Sequence, residues 1–440
     1  MNARILVTLP VLTMLALAQA TGQQNPNESC VTAKCHATFG KAEFVHGPVA
    51  ANDCTPCHQL LPKETHKFAP LKKAVELCIQ CHEPMKKQAV LHKPVAEGKC
   101  TGCHNPHQAS QQYMLRGGTT AEMCFGCHNK EMVKKKSAHM PVAEGECLTC
   151  HTPHTGDKPK LLVQSGNDLC FECHANMKED IASAKRVHKP VAEGCVKCHN
   201  PHGGDGQSLL GQDVPDQCLT CHKEMREQLA KVIIKHEALD IDKKCMNCHS
   251  PHTANLDKQL KEDPMTLCLS CHNQPMASPS GTLANMKGVF EKSKDWHGPI
   301  REKDCSGCHD VHGAANFRIL RFNYPREFYT SFSQDQYELC FACHQPTLVQ
   351  DASTTTLTNF RDGDRNLHYL HVNKRVKGRT CRSCHETHAS QKEKHIRESV
   401  PFGQWSLPIR FEKKLDGGKC SPGCHAPKDY TNASAANKKK

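Results

Sequence analysis

The sequence predicts a mostly irregular chain with short α-helices, repeated in tandem around an interior that its own side chains do not supply. Three observations predict this. Only 38% of the 440 residues are hydrophobic, and 30 of these are cysteines. Without the cysteines the fraction is about 31%, against roughly 45–50% in soluble domains. Histidine, at 31 residues, is as abundant as cysteine, and both recur at fixed spacings. A disordered chain would share the low apolar content but would not place its cysteines regularly.

The N-terminus sets an expected compartment. Arg4, the apolar run 5–17 and an Ala18-Gln19-Ala20 cleavage site read as a secretory signal over residues 1–20. The run is too short for a membrane span, and no cysteine follows the site to carry a lipid. The mature chain, from near Thr21, is expected in the periplasm, with outer-membrane-associated and extracellular locations open.

The cysteines fall into sets that each end in histidine. Cys54, Cys57 and His58 open a C-x-x-C-H series. Cys78, Cys81 and His82 follow, then Cys100, Cys103 and His104, and Cys124, Cys127 and His128. Next come Cys147, Cys150 and His151; Cys170, Cys173 and His174; Cys195, Cys198 and His199; and Cys218, Cys221 and His222. The series closes with Cys245, Cys248 and His249; Cys268, Cys271 and His272; Cys305, Cys308 and His309; Cys340, Cys343 and His344; and Cys381, Cys384 and His385. Two sets are wider, with four residues between Cys30 and Cys35 before His36, and three between Cys420 and Cys424 before His425. That makes fifteen sets with no cysteine left over.

C-x-x-C-H is the attachment motif of c-type haem. Each thiol bonds one vinyl group, and the adjacent histidine reaches the iron as proximal ligand. One such motif is weak, because zinc sites and redox pairs look similar. Fifteen are strong: zinc would pair C-x-x-C units and leave the histidines without a reason, and a disulfide scaffold would not require them. For the two wide sets a disulfide remains the alternative.

Sixteen histidines lie outside the motifs as candidate distal ligands. One class precedes the first cysteine of alternate sets: His46, His92, His139, His188, His236 and His297, several within the phrase His-x-Pro-Val-Ala. A second class follows the motif as Pro-His or similar: His107, His154, His202, His252, His312 and His388. His66, His368, His371 and His395 complete the count. Thirteen methionines are also available, but the histidine count favours two imidazoles per iron and hence low potentials.

The repeat is a two-haem unit: a leading His, C-x-x-C-H-x-P-H, a linker and a second C-x-x-C-H. Repeats start near residues 46, 92, 139, 188, 236, 297 and 371. The expected organisation is a signal peptide (1–20), a single-haem segment (21–45), five tandem repeats (46–296), and two lengthened repeats with inserts and a polar tail (297–440). So little protein per haem implies an elongated, haem-cored chain. Residues 83–91 and 223–234 read as short helices. The part from residue 290 onward holds sixteen of the 22 aromatics, with strand-like patches at 316–324 and 405–411 that suggest short β-hairpins.

Geometry bears on the second class. His107 lies three residues beyond His104, past a proline, and cannot wrap to the other face of the same porphyrin. It should therefore serve a neighbour, the haem of His128 being nearest downstream, with His92 completing the haem of His104. The same logic pairs His154 with His174, His202 with His222 and His252 with His272. The Cys30 set has no histidine upstream. Its distal ligand must come from downstream, be Met, be absent, or come from a second copy in a head-to-tail assembly.

The formal charge of +12 would suggest a nucleic-acid binder. Fifteen haems with two propionates each turn it to about −18, so the lysines read as propionate partners, and nucleic acid is not expected.

The doubled C-x-x-C-H motifs and the following Pro-His resemble the doubled C-x-x-C-H multihaem cytochromes c. That group includes periplasmic decahaem conduits of metal-respiring bacteria and pentahaem donors to nitrite reductase. The resemblance covers residues 30–425. It implies electron transfer along a haem chain, with donor and acceptor cytochromes or a terminal reductase as partners. It leaves room for an outer-membrane barrel or self-assembly. The wide terminal sets and the aromatic-rich part depart from the simple pattern. The competing reading is a nitrogen- or sulfur-oxyanion reductase with one open haem. No C-x-x-C-K occurs and the histidines suffice to close every iron, so the sequence favours a carrier over an enzyme.

Overall fold

The repeats at His92, His139 and His188 are built from the same run of very short elements. In the repeat at His92 they are the dipeptide strand Val90–Leu91, the helix Lys93–Ala96 and a 3₁₀ turn Cys100–Gly102. The strand Gln108–Ala109, a kinked turn Gln112–Met114 and the helix Thr120–Phe125 follow. The sequence explains each piece. Proline sits in the first turn of Lys93–Ala96, where its missing N–H costs nothing. Thr119 caps the second-motif helix by accepting the N–H of Glu122, half of a Thr-x-x-Glu capping box. Asp263 caps Pro264–Leu269 in the same way through Thr266.

This computed structural model describes residues 30–62, 66–85 and 88–433. The expected signal peptide, its cleavage site and the terminal lysines lie outside these residues. Among the described residues no helix is long and apolar enough to cross a membrane. The described residues form two compact units, one from those up to Lys130 with Ala143–Gln164, the other from Glu131–Val142 with those from Ser165 onward.

The repeats are stitched by dipeptide ladders. In the first unit Phe44–Val45 pairs antiparallel with Gln108–Ala109, and Val90–Leu91 with Thr155–Gly156. In the second, Ser137–Ala138 pairs with Gly203–Gly204, Arg186–Val187 with Thr253–Ala254, and Ile234–Lys235 with Gly313–Ala314. Asp295–Trp296 pairs with Ala389–Ser390. The strand before each leading histidine thus pairs with the strand after the Pro-His, or its counterpart, of the following repeat. Gly313 shows how close this approach is: its φ is +134°, and a Cβ would sit 2.7 Å from the Ile234 carbonyl.

Protein cores are small and fall in the second unit. Leu320, Tyr324, Tyr337, Val349 and Val372 form one cluster, and Met265, Phe290, Ile300 and Ala389 another. The chain exposes 31175 Å², against about 17,000 Å² for a compact protein of its mass, so its side chains do not make their own interior.

Three local expectations are corrected. Residues 83–85 are irregular and Val90–Leu91 is a strand, because the ladder to Thr155–Gly156 takes that segment and Pro84 disfavours a helix. The helix expected over 223–234 ends at Lys231, and Ile234–Lys235 is the next ladder strand. The patch 316–324 is a turn about Phe317–Ile319, with Arg318 left-handed at φ 54°. The C-terminal patch does form strands. Ser399–Phe402 pairs with Trp405–Pro408, and Phe411–Lys414, Gly417–Cys420 and Lys428–Thr431 form a three-stranded sheet.

Candidate haem-binding sites

In the regular sets the motif closes on itself. The N–H of the histidine donates to the carbonyl of the first cysteine, at 2.9 Å in His58–Cys54 and His82–Cys78 and 3.0 Å in His104–Cys100. One turn therefore carries both thiols and the imidazole. The wide sets are built differently. Thr32 N–H donates to the Cys35 carbonyl at 2.8 Å, and Cys420 ends a strand paired with Lys428. None of the thirty cysteines is joined in a disulfide.

Motif histidines face other histidines. Leading histidines meet the second motif of their own repeat: His46 faces His82 at 5.9 Å between ring centres, His92 faces His128 at 6.1 Å and His139 faces His174 at 6.3 Å. His188 faces His222 at 6.1 Å, His236 faces His272 at 6.3 Å and His297 faces His344 at 6.1 Å. The second class meets the first motif of the preceding repeat. His58 faces His107 at 6.0 Å, His104 faces His154 at 5.8 Å and His199 faces His252 at 5.9 Å. His249 faces His312, and His309 faces His388, each at 6.2 Å.

The chain ends improvise. His36 faces His66 at 5.9 Å. The helix Leu367–Val372 presents His368 to His385 at 6.3 Å and His371 to His425 at 6.4 Å. His151 bonds the Lys160 carbonyl through Nδ1 at 2.9 Å, and the His202 N–H donates to Asn200 Oδ1 at 3.1 Å. His395 stands apart. It meets His297 edge-on at 5.3 Å, with its Nδ1 3.3 Å from Asp295.

These separations fit a haem between the rings. Two imidazoles on opposite faces of one iron have ring centres about 6 Å apart, from metal–nitrogen bonds of about 2 Å and ring centres roughly 1 Å behind each nitrogen. A zinc site would instead draw four ligands to one point. Among the described residues no three or more His, Cys, Asp or Glu side chains converge in that way.

The pairing differs from the sequence expectation in direction. His107 does face a motif histidine other than His104, but that residue is His58 rather than His128. His154 faces His104 rather than His174, His252 faces His199 rather than His272, and His222, expected to face His202, faces His188. His92 belongs with His128, not His104. The cause is the ladder: Gln108 pairs with Val45, which draws the adjacent His107 back onto the preceding repeat. The apolar dipeptides before His46 and His92, and the valine before His188, are the signal in the sequence. For the Cys30 set the facing ring is His66 of the same chain.

Backbone carbonyls orient many of the rings. His104 bonds the Tyr113 carbonyl at 2.8 Å, His249 that of Lys258 at 2.8 Å and His385 that of Lys394 at 2.8 Å. Each accepting residue is left-handed, at φ 56°, 56° and 58°. The leading His92, His188 and His236 bond the carbonyls of Pro153, Pro251 and Val311 at 2.9 Å. A carbonyl only accepts, so Nδ1 carries the proton and Nε2 is left for a metal. Burial, with His385 next, pushes His368 down to about 4, and burial, with His309 next, does the same to His388. Both rings are neutral at pH 7, the form that ligates.

Within each unit, several sets that follow one another in the chain are neighbours in space. Cys54 touches Cys30, Cys78 touches Cys100, and Cys124 touches Cys147. Cys218 touches Cys245, Cys268 touches Cys305, and Cys340 touches Cys381. Cys57 also acts on Cys78, Cys221 on Cys198 and Cys420 on Cys384.

Six stretches match the sequence profile of the doubled CXXCH motif, residues 46–87, 92–133, 139–179, 188–227, 236–277 and 297–348, together more than half of the chain. The chain belongs to the doubled CXXCH motif family. It is a multihaem c-type cytochrome, and the six doubled motifs account for about twelve covalent haem c groups. No curated protein matches this cytochrome. The sets at Cys30, Cys381 and Cys420 lie outside the matched stretches.

Proposed function

We propose that this cytochrome is an exported electron carrier holding fifteen haems, each between two imidazoles, and passing electrons along them in chain order. The observation that carries this reading is the recurrent imidazole pair, about 6 Å between centres, which extends past the family match to His36/His66, His368/His385 and His371/His425. Bound haem supplies a one-electron iron couple. The cysteines tether it by thioethers, the paired histidines close both axial positions, and the carbonyls on Nδ1 hold the ligating tautomer. Two imidazoles lower the potential relative to Met/His ligation and leave no coordination site for a substrate, which favours a carrier over an oxyanion reductase. Contact between successive cysteine sets within each unit supports the chain order there.

Export follows from the signal-like residues 1–20, and with it a place in anaerobic or extracellular respiration in the periplasm or at the outer membrane. Small redox proteins or a terminal reductase would be the donor and acceptor, and a barrel or further copies of the chain would be docking partners. The test is a pyridine haemochrome count with low-temperature EPR on protein matured with haem. Fifteen haems, all low-spin, are expected. Twelve or thirteen haems would remove the terminal sets from the proposal, and zinc without a Soret band would end it.

A further inference from the structure

Phenylalanines bridge axial imidazoles at both ends of the chain. Phe39 lies parallel to His36, at 5.4 Å and 10°, and to His107, at 5.0 Å and 25°. Phe68 meets His66 at 5.6 Å and His58 at 5.9 Å, edge-on to both. The two haem sites formed by His36/His66 and His58/His107 are thus joined by one ring on each side. Near the other end Phe360 lies parallel to His371, at 5.7 Å and 27°, and edge-on to His368, at 5.1 Å. It joins the sites of His371/His425 and His368/His385, and Tyr430 backs it at 5.2 Å.

These places share one feature: each includes a wide cysteine set. In a regular set the N–H bond from histidine to the first cysteine fixes the backbone that carries the imidazole. At Cys30 the bonds run instead from Thr32 to Cys35, and His36 is left-handed at φ 48°. At Cys420 the set leaves a strand. A longer loop between thiols holds its histidine less firmly, so the ring's rotation must be set from outside. Gln108 clamps the leading segment for this purpose, donating to the Thr38 carbonyl at 2.9 Å and accepting from Lys41 N–H at 3.1 Å. That clamp brings Phe39 onto His107. Only five of the fourteen phenylalanines precede residue 290, and two of the five are these bridges.

We propose that Phe39, Phe68 and Phe360 are positioning residues that set the imidazole planes of the wide-set haems and lock each to its neighbour. The inference rests on the fifteen-haem reading. Aromatic rings prefer stacked or edge-on contacts with other rings, and an aliphatic side chain of similar bulk fills the space without imposing an angle. The imidazole planes are near parallel, at 10° for His36/His66 and 31° for His371/His425. Parallel ligand planes give rhombic low-spin EPR signals, and crossed planes give a single strongly anisotropic one.

The experiment compares F39L, F39Y, F360L and F360Y in the full haem-loaded protein by EPR and haem count. In F39L the rhombic intensity of one or two haems in fifteen should move to the anisotropic signal, and F39Y should keep the native spectrum. F360L and F360Y should behave likewise at the other end. A lost haem in the leucine variant that tyrosine restores also supports positioning. A native spectrum in both leucine variants, or the same defect in leucine and tyrosine variants, overturns it. A native count below fifteen would instead overturn the reading beneath it.

Discussion

The backbone N–H of His92 donates to the carbonyl of His154 at 2.9 Å, and the His92 ring bonds the preceding carbonyl, that of Pro153, at the same distance. His92 faces His128 and His154 faces His104, so this contact ties members of two imidazole pairs to one point of the backbone. His188 with His252, His46 with His107, and His297 with His388 repeat the N–H bond at 2.9, 2.9 and 3.0 Å. Ligand pairing is therefore a consequence of strand register: a one-residue slip would turn the histidines away.

The pairing of His107 with His58 is open to a genetic test. His107→Ala should leave covalent haem unchanged and convert one low-spin haem to high-spin. Combined with His58→Ala it should still alter one haem, because both residues serve the same iron. Combined with His104→Ala it should alter two. EPR spin quantitation distinguishes these outcomes, and two altered haems in the His58 combination would refute the pairing.

His395 is expected to be dispensable for ligation. His395→Leu should retain every low-spin haem, whereas His66→Ala should open the iron at Cys30 and Cys35. Other repeats place Met114, Leu161 and Leu209 at the corresponding turn, so leucine should be tolerated there. A high-spin signal in His395→Leu would assign that residue an iron.

Lys258 offers a test of the carbonyl that meets His249. Its left-handed backbone suits glycine and excludes proline, whose φ is held near −65°. Lys258→Gly should leave the redox titration unchanged. Lys258→Pro should remove the bond to Nδ1, make the imidazole a weaker donor and raise the potential of one haem. Spectroelectrochemistry would record the shift, and equal titrations for the two variants would exclude the effect.

Asn366 is fully buried at the start of the helix that carries His368 and His371. Its amide donates to the carbonyls of Leu348 and Asp351 at 2.9 and 2.8 Å, and its oxygen accepts from the N–H groups of His368 and Tyr369. Asn366→Ala removes a cap and strands two buried carbonyls, a cost on the order of 3 kcal/mol. The urea midpoint of the second unit should fall, and should fall further for Asn366→Asp, whose buried carboxylate would face the Leu348 and Asp351 carbonyl oxygens with no donor to offer them. An unchanged midpoint in the alanine variant would discount the cap.

The thirteen regular motifs and both histidine classes could be read from the sequence because haem attachment demands close local order. Which imidazoles face each other could not. That depends on two-residue ladders such as Phe44–Val45 with Gln108–Ala109, too short to give a periodic pattern. His368 and His371 could be counted in advance, but one helix serving two haems needed the buried Asn366 to reveal it. The turn at Phe317–Ile319 was misread as strand because its β-branched and aromatic residues mask a left-handed Arg318.

The ladders have a consequence for how such a chain changes length. Because each leading dipeptide is completed by its successor, the seam between any two repeats is the same seam. An in-frame duplication of one repeat inserts a module that meets matching partners on both sides, adding two haems without redesigning anything upstream or downstream. Loss of a repeat closes over in the same way. Only the first and last positions need bespoke parts, and there the chain carries its wide motifs and the irregular ligands His66 and His368. Recombination within one gene could thus change the number of haems while the two ends, built from different parts, stay as they are.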